Sequence, residues 1–272
     1  MSTASALPLQ PSMGARVWAW LTDQGAAIAI LVLIFVAWEI ATRVLAVPVY
    51  ILPSPWVIIV KIYQDWALLM DNAWASLQEI ILGFGLSVVV GIPLAVAIVY
   101  SRIFERVAFP LMVSLQTVPK VALAPILVMW FGYGILPKVL VAFLISFFPI
   151  VINTVIGMRS VEKEMIYLAE SMGAGQLQTF IKIRFPKALP NIFGGLKVGI
   201  GQAVIGAIVG EFIAAEKGLG YLQLIAQVRL DTPLLFSSVV VLSVMGVILF
   251  NVVAWVERMV IPWHRQITER VE

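Results

Sequence analysis

The chain is a succession of apolar runs, each long enough to cross a lipid bilayer, joined by short polar intervals. A hydrocarbon core of about 30 Å is crossed by about 20 mostly apolar helical residues. Runs that meet this length extend over residues 26–45, 80–100, 107–131, 137–157, 192–213 and 234–256. The composition agrees, with 61% of the 272 residues hydrophobic and 12% charged. Soluble domains hold roughly 45–50% apolar and 25% charged residues. The reading is an all-α membrane protein with six transmembrane helices and little chain left for a soluble domain.

Several function classes drop out. The net charge is +3 and the sequence pI about 9.2, but the basic residues sit in short loops beside apolar runs, which sets topology rather than nucleic-acid binding. With no cysteine and a single histidine, His264, the chain offers no disulfide, no thiolate nucleophile and no histidine metal cluster. The first 24 residues lack an early basic region followed by a short apolar core, so no cleaved signal is expected. Within them Trp18 and Trp20 form either an interfacial turn or part of a free tail. If both termini are cytosolic, eleven Lys and Arg residues flank the spans inside and four, Arg43, Lys61, Lys217 and Arg229, flank them outside. That asymmetry places the termini and the 161–190 interval in the cytosol.

Punctuation refines the spans. Prolines 48, 53 and 55 make residues 47–55 extended, and Ser54 with Pro55 then starts a helix as N-cap and first residue. Trp56, Ile59, Tyr63 and Trp66 form one aromatic and apolar face opposite Lys61, Gln64 and Asp65, the pattern of a helix lying flat on the membrane. Ser101–Arg106 reads as a charged turn. The third span contains Pro110, Pro119 and Pro125 and is expected to kink or break. Lys120 sits near its middle, either as a functional cation or as a partner for carbonyls that the prolines free. The fourth span is interrupted by Pro149. The fifth carries the small-residue pairs Gly195/Gly199 and Gly206/Gly210, which allow close helix approach. Glu211 near its outer end either lines a vestibule or reaches the interface, and Glu39 in the first span receives no role.

The longest polar interval, residues 161–190, has helical spacing of its own. Met165, Leu168, Ala169, Met172 and Leu177 recur on one side, Gly173 and Gly175 suggest a turn, and a second short helix is expected to end before Pro186. Such a segment either presents an apolar knob to a soluble partner or folds back under its own bundle.

Gly173, followed after nine residues by Ile183-Arg184-Phe185-Pro186, resembles the cytoplasmic signature of binding-protein-dependent ABC transporter permeases, written EAA, three residues, G, nine residues, I-x-L-P. Phe185 stands in place of its leucine, and its glutamate falls at Tyr167, its alanines at Leu168 and Ala169; Glu170 is three positions late and is not that acid. The chain is similar to the nitrate, sulfonate and taurine type, and within it to members assigned to thiamine-precursor pyrimidines. The similar segments include Leu52–Pro55, Val118–Pro125, Trp130–Gly132, Phe148–Ile150, Val209–Phe212, Gly218–Gly220 and Pro262–His264.

The resemblance implies a type I importer-like permease with a cytoplasmic tail at 1–25, a six-helix domain at 26–257 with a coupling helix at about 162–180, and a second cytoplasmic tail at 258–272. It implies a bacterial inner-membrane protein that works as a homodimer with two cytoplasmic ATPase subunits, an external substrate-binding protein and the surrounding lipid. Met165, Leu168, Ala169, Met172, Gly173, Ala174, Leu177 and Pro186 are the residues expected to couple to the ATPase. Pro119, Lys120, Pro125, Gln202 and Glu211 are the translocation-path candidates. The chain has no G-x-x-x-x-G-K-[ST] phosphate loop, so no cofactor is expected on it, and ATP and magnesium would be used by the partner. The competing reading, a stand-alone channel or a membrane-embedded enzyme, has few intramembrane groups to draw on beyond Lys120, Glu39, Glu79 and Glu211.

Overall fold

The computed structural model describes residues 13–262; Trp263 and His264 of the similarity, residues 1–12 and the end of the tail lie outside the described residues. All regular structure in them is helical. In chain order the helices are α1 (Met13–Val44), α2 (Pro55–Gln64), α3 (Trp66–Tyr100), α4 (Arg102–Gln116), α5 (Ala124–Phe131) and α6 (Ile135–Arg159). They continue with α7 (Lys163–Ser171), α8 (Gln176–Thr179), α9 (Phe185–Ala214), α10 (Leu219–Val228) and α11 (Thr232–Val260).

Among the described residues four helical stretches are long and apolar enough to cross a membrane: α3, α6, residues 176–214 and α11. A fifth is the pair α4 and α5, bent by 93° at their junction. The first expected span coincides with the second half of α1.

Several boundaries differ from the sequence reading. The second span begins at Trp66, because Asn72, Ser76 and Glu79, which look like breakers, are buried against protein groups inside α3. Ser101 stands at the N-cap position of α4 with its carbonyl accepting from the Glu105 N–H, so the charged turn is already helical from Arg102. Pro149 does not interrupt α6; the expected second short helix is α8, ending at Thr179, but the helical path does not stop there. Residues 176–214 run as one helix, because a π-turn at Phe180–Arg184 takes up the extra residue just before Pro186, which then occupies the first turn of α9, where its missing N–H is tolerated. The expected break in the third span does occur: α4 ends at Gln116, Pro119 is extended, a 3-10 turn covers Lys120–Leu123, and Pro125 sits in the first turn of α5.

The centre of the fold is α6 packed along α9, with α3 packed against α6 and touching α9. Glycines set the α6–α9 distance. A Cβ at Gly195 would lie 2.7 Å from the Asn153 Cβ, one at Gly206 2.6 Å from the Ala142 Cα, and one at Gly210 2.9 Å from the Lys138 Cα. From the other side, a Cβ at Gly157 would lie 2.9 Å from the Ala188 carbonyl oxygen. Gly206 and Gly210 therefore meet backbone directly, whereas Gly199 makes room for the Ile150 side chain, whose Cγ1 would lie 2.8 Å from a Cβ there; both expected small-residue pairs face α6. Gly194 and Gly201, on another face of α9, meet nothing within 4 Å.

On the side where α2, α10 and the start of α11 gather, polar ties hold the connections. Lys61 bridges Asp65 (3.0 Å) on its own helix and Asp231 (2.8 Å) before α11, and Thr232 Oγ1 donates to the Tyr50 carbonyl at 2.6 Å. The Asp231 hydrogen bond, opposed by desolvation and helped by Asp65, raises the Lys61 pKa above the usual 10.5. A raised lysine pKa gives stability that is complete below 10.5 and is lost as pH rises through the raised value, so this tie persists at neutral pH.

Gly206→Leu is expected to lower the thermal stability of the detergent-purified protein by about 1–3 kcal/mol through overpacking. Gly201→Ala is expected to leave it unchanged or raise it by about 1 kcal/mol from helix propensity. Equal midpoints for Gly206→Leu and the unaltered protein would show that α6 and α9 are not in backbone contact.

Candidate functional site

The interval between α6 and α9 folds as a helix, a turn and a short second helix. α7 ends at Ser171, and Gly173 adopts φ +82°, a left-handed conformation that favours glycine. The Gly173 N–H bonds the Glu170 carbonyl at 2.9 Å and the Ala174 N–H bonds the Ala169 carbonyl at 3.0 Å, the paired closure of a Schellman turn. The Gln178 side chain accepts from the Gly175 N–H at 3.4 Å and starts α8.

That turn leaves Met165, Leu168, Met172 and Leu177 with 42–79% of their surface exposed, and no element among the described residues covers them. Ala169, Met172, Gly173 and Ala174 line one wall of an open groove of about 280 Å³, with Gln178, Thr179, Lys182 and Ile183 opposite. Four of the eight expected coupling residues thus line the groove, and Met165, Leu168 and Leu177 are exposed on the same segment. The eighth, Pro186, is half-buried at the start of α9 and takes no part in the groove. The segment does not fold back under the bundle: four large apolar side chains face outward.

The translocation-path candidates separate into three places. Pro119, Lys120 and Pro125 gather at the α4–α5 break. There Lys120 Nζ donates to the Gln116 carbonyl at 3.3 Å and stands 4.7 Å from the centre of the Phe148 ring. The carbonyl is one left free where α4 ends, and the ring is a buried one on α6. Gln202 is half-buried on α9. Glu211 is fully buried at the far end of α9.

Glu211 belongs to a cluster that sequence reasoning did not assemble. Its Oε1 accepts from Ser76 Oγ at 2.5 Å, and its Oε2 accepts from the Gly220 N–H at 2.5 Å and the Tyr221 N–H at 3.3 Å. Ser76 Oγ in turn accepts from the Leu219 N–H at 2.8 Å, and Asn72 Oδ1 from the Gly218 N–H at 2.9 Å. The N–H groups of 218 to 221, which a helix start leaves without partners, are therefore all taken by side chains of α3 and α9. Gly218 and Gly220 let the carboxylate come this close: a Cβ at Gly218 would run into the Glu211 carboxyl group. Beside it Glu79 pairs with Lys138 of α6, and the three charged groups are 0–7% exposed. A signal was available, since Glu79 and Lys138 each stand 21 residues before the last residue of their helix and so share a depth.

Glu39 also has a role that the sequence reading withheld. Its Oε1 accepts from Arg43 and, at 3.1 Å, from Ser54 Oγ, and its Oε2 accepts from the Trp56 N–H at 3.0 Å. Ser54 sits at the N-cap position but does not cap with its own side chain; the carboxylate of α1 does so instead. Lys197, the remaining lysine of the spans, pairs with Glu257 of α11 at 2.5 Å.

Residues 87–265 match the family model described as the binding-protein-dependent transport system inner membrane component. The chain belongs to this family. It is a permease subunit of an ABC importer, a multi-pass membrane protein. Among curated relatives, this permease is 38% identical over 86% of its length, and 94% of the relative's, to the formylaminopyrimidine transport permease protein ThiX of Halalkalibacterium halodurans. It is 37% identical to the riboflavin transport system permease protein RibX of Chloroflexus aurantiacus, over 86% of this chain and 88% of that one. With the taurine transport system permease protein TauC of Escherichia coli the identity is 30%, over 92% and 94%. The permease also shares its fold with a solved chain of the MetNI methionine ABC transporter, in a structure described as inward facing, at a TM-score of 0.63 and 17% identity, covering 72% of this chain and 98% of that one.

Lys138→Met is expected to destabilise the permease by about 3–5 kcal/mol, because it strands the Glu79 carboxylate in a buried site. The double variant Glu79→Met with Lys138→Met is expected to recover most of that loss in a thermal unfolding assay. If the single variant melts with the unaltered protein, the ion pair is not buried as described.

Proposed function

We propose that two copies of this permease form the membrane channel of an ATP-driven importer, each docking one cytoplasmic ATPase subunit on the α7 surface. The observation that carries this reading is the apolar rim of Met165, Leu168, Met172 and Leu177, exposed in the longest polar interval of a membrane chain. Large exposed apolar groups at a polar turn mark a protein interface. ATP and magnesium are used on the partner, since this sequence has no phosphate loop. The excess of basic residues in the flanking loops supports a cytoplasmic position for both termini and α7, in a bacterial inner membrane.

An external binding protein delivers the solute. ATP-driven closure of the ATPase pair displaces α7, and the displacement passes to α9 because residues 176–214 are one helix. The moving pair α6 and α9 then changes access to a pathway bordered by Lys120, Pro119 and Pro125 at the α4–α5 break and by Gln202 on α9, with Glu211 shaping its outer end through α10. Two of the relatives are named for the transport of a formylaminopyrimidine and of riboflavin, which supports a small nitrogen heterocycle as cargo. Proteoliposomes carrying the full complex and its binding protein are expected to take up such a heterocycle in preference to taurine; the opposite preference would reassign the cargo.

Replacing both Leu168 and Met172 by Asp is expected to reduce capture of the ATPase subunit at least about tenfold, or ~1.4 kcal/mol. The melting temperature of the permease should stay the same, because both side chains are exposed. Undiminished capture would move the docking surface elsewhere.

A further inference from the structure

The joint between the coupling segment and the membrane helices has a construction of its own. Residues 176–214 would be an ordinary helix but for the π-turn at Phe180–Arg184, closed by the Phe185 N–H on the Phe180 carbonyl. A π-turn holds one more residue than an α-turn and persists only where the surroundings hold it. Here both of its ends grip one ring. Tyr100, the last residue of α3, meets Phe180 edge-on, with ring centroids 5.6 Å apart and planes at 82°. The Arg184 guanidinium lies 5.0 Å from the centre of the same Tyr100 ring. Phe180 also contacts Phe185, the first residue of α9, at 5.8 Å. Arg184 Nε is buried and makes no hydrogen bond, so within the described residues the aromatic face is what this guanidinium addresses.

The ring of Tyr100 is thus held between the first and last residues of a local distortion in another helix, at the point where that helix leaves the coupling groove. Edge-to-face aromatic pairs and cation–π contacts depend on ring orientation as well as on burial. The clasp therefore fixes the end of α3 both in position and in rotation against the start of α9. Without it, α3 touches the coupling segment through no ion pair among the described residues.

We propose that Tyr100 is a positioning residue for transport: through its ring, clasped by Phe180 and Arg184, α3 and α9 respond as one body when the coupling segment moves. This inference rests on the docking of an ATPase at α7 given above. A loose clasp lets α9 follow the ATPase while α3 stays behind, so that ATP is hydrolysed without movement of solute.

The test uses the complete complex of permease, ATPase subunits and loaded binding protein in proteoliposomes, and reads solute moved per ATP hydrolysed. Tyr100→Ala is expected to lower that ratio at least about fivefold, the scale of one lost cation–π contact, while the ATPase subunit still co-purifies. Tyr100→Phe keeps the ring and should restore the ratio to within about twofold of the unaltered complex. Arg184→Gln, which leaves the ring in place, should fall with Tyr100→Ala and serves if the alanine variant does not accumulate. An unaltered ratio in Tyr100→Ala or Arg184→Gln overturns the clasp, and so does a Tyr100→Phe ratio as low as that of alanine. Failure of the unaltered permease to retain its ATPase subunit overturns the docking reading instead, and the clasp with it.

Discussion

In hydrocarbon no water is available to satisfy a stray charge or amide, so every polar group within the spans must be answered by protein. The Glu79, Lys138 and Glu211 cluster shows how this chain meets that demand. Three helices each bring one charged side chain to a common depth, and the carboxylate of α9 also terminates α10. Four backbone donors at the start of α10 find acceptors on α3 and α9, which lets a short helix turn back against the bundle without exposing its end. These contacts hold the start of α10, alongside the ties of Lys217 to Asp71 and of Lys61 to Asp231. The glycines at that start are needed because a carboxylate occupies the space that side chains would take.

The contact between α6 and α9 follows a different rule. There is no hydrophobic drive between helices in lipid, so close approach and dispersion hold them, and glycine makes the approach. A helix pair in backbone contact at Gly157, Gly195, Gly206 and Gly210 has little freedom to slide. Movement is left to the borders of the pair: the break at Thr117–Pro119, where α4 and α5 diverge by 93°, and the π-turn below α9. Both borders lie next to residues of functional interest, Lys120 at one and Arg184 at the other.

Much of this was legible in the residues. The all-helical membrane fold, the small-residue pairs, the proline break and the turn at Gly173 each rest on local chemistry that a sequence displays. The exposed apolar rim of α7 was legible too, since helical spacing gathers Met165, Leu168 and Met172 whatever the rest of the fold does. The errors share one cause, which is that local signals were trusted where distant groups decide. Pro149 and Pro186 look like helix breakers, but one is carried within a packed span and the other follows a π-turn that absorbs the irregularity. Ser54 looks like a self-sufficient N-cap, but the acceptor that caps α2 is Glu39, fifteen residues upstream of Ser54. Glu211 has partners on two other helices, and no window of sequence contains them.

The Glu39 clasp has a consequence for how the protein is made. All of its members lie between residues 39 and 56, so it is complete once α1 and the first turn of α2 have been synthesised. Contacts of such short range form early and nucleate locally. The Glu79–Lys138–Glu211 cluster spans 132 residues of sequence and needs α3, α6 and α9 side by side, so it closes only near the end of synthesis. The Glu79–Lys138 pair can form once α6 is in place, but until α9 arrives Ser76 lacks the Glu211 carboxylate. The interval between these two events is when the nascent chain is most exposed to quality-control proteases, and mutations in the cluster should be felt first as lower abundance in the cell.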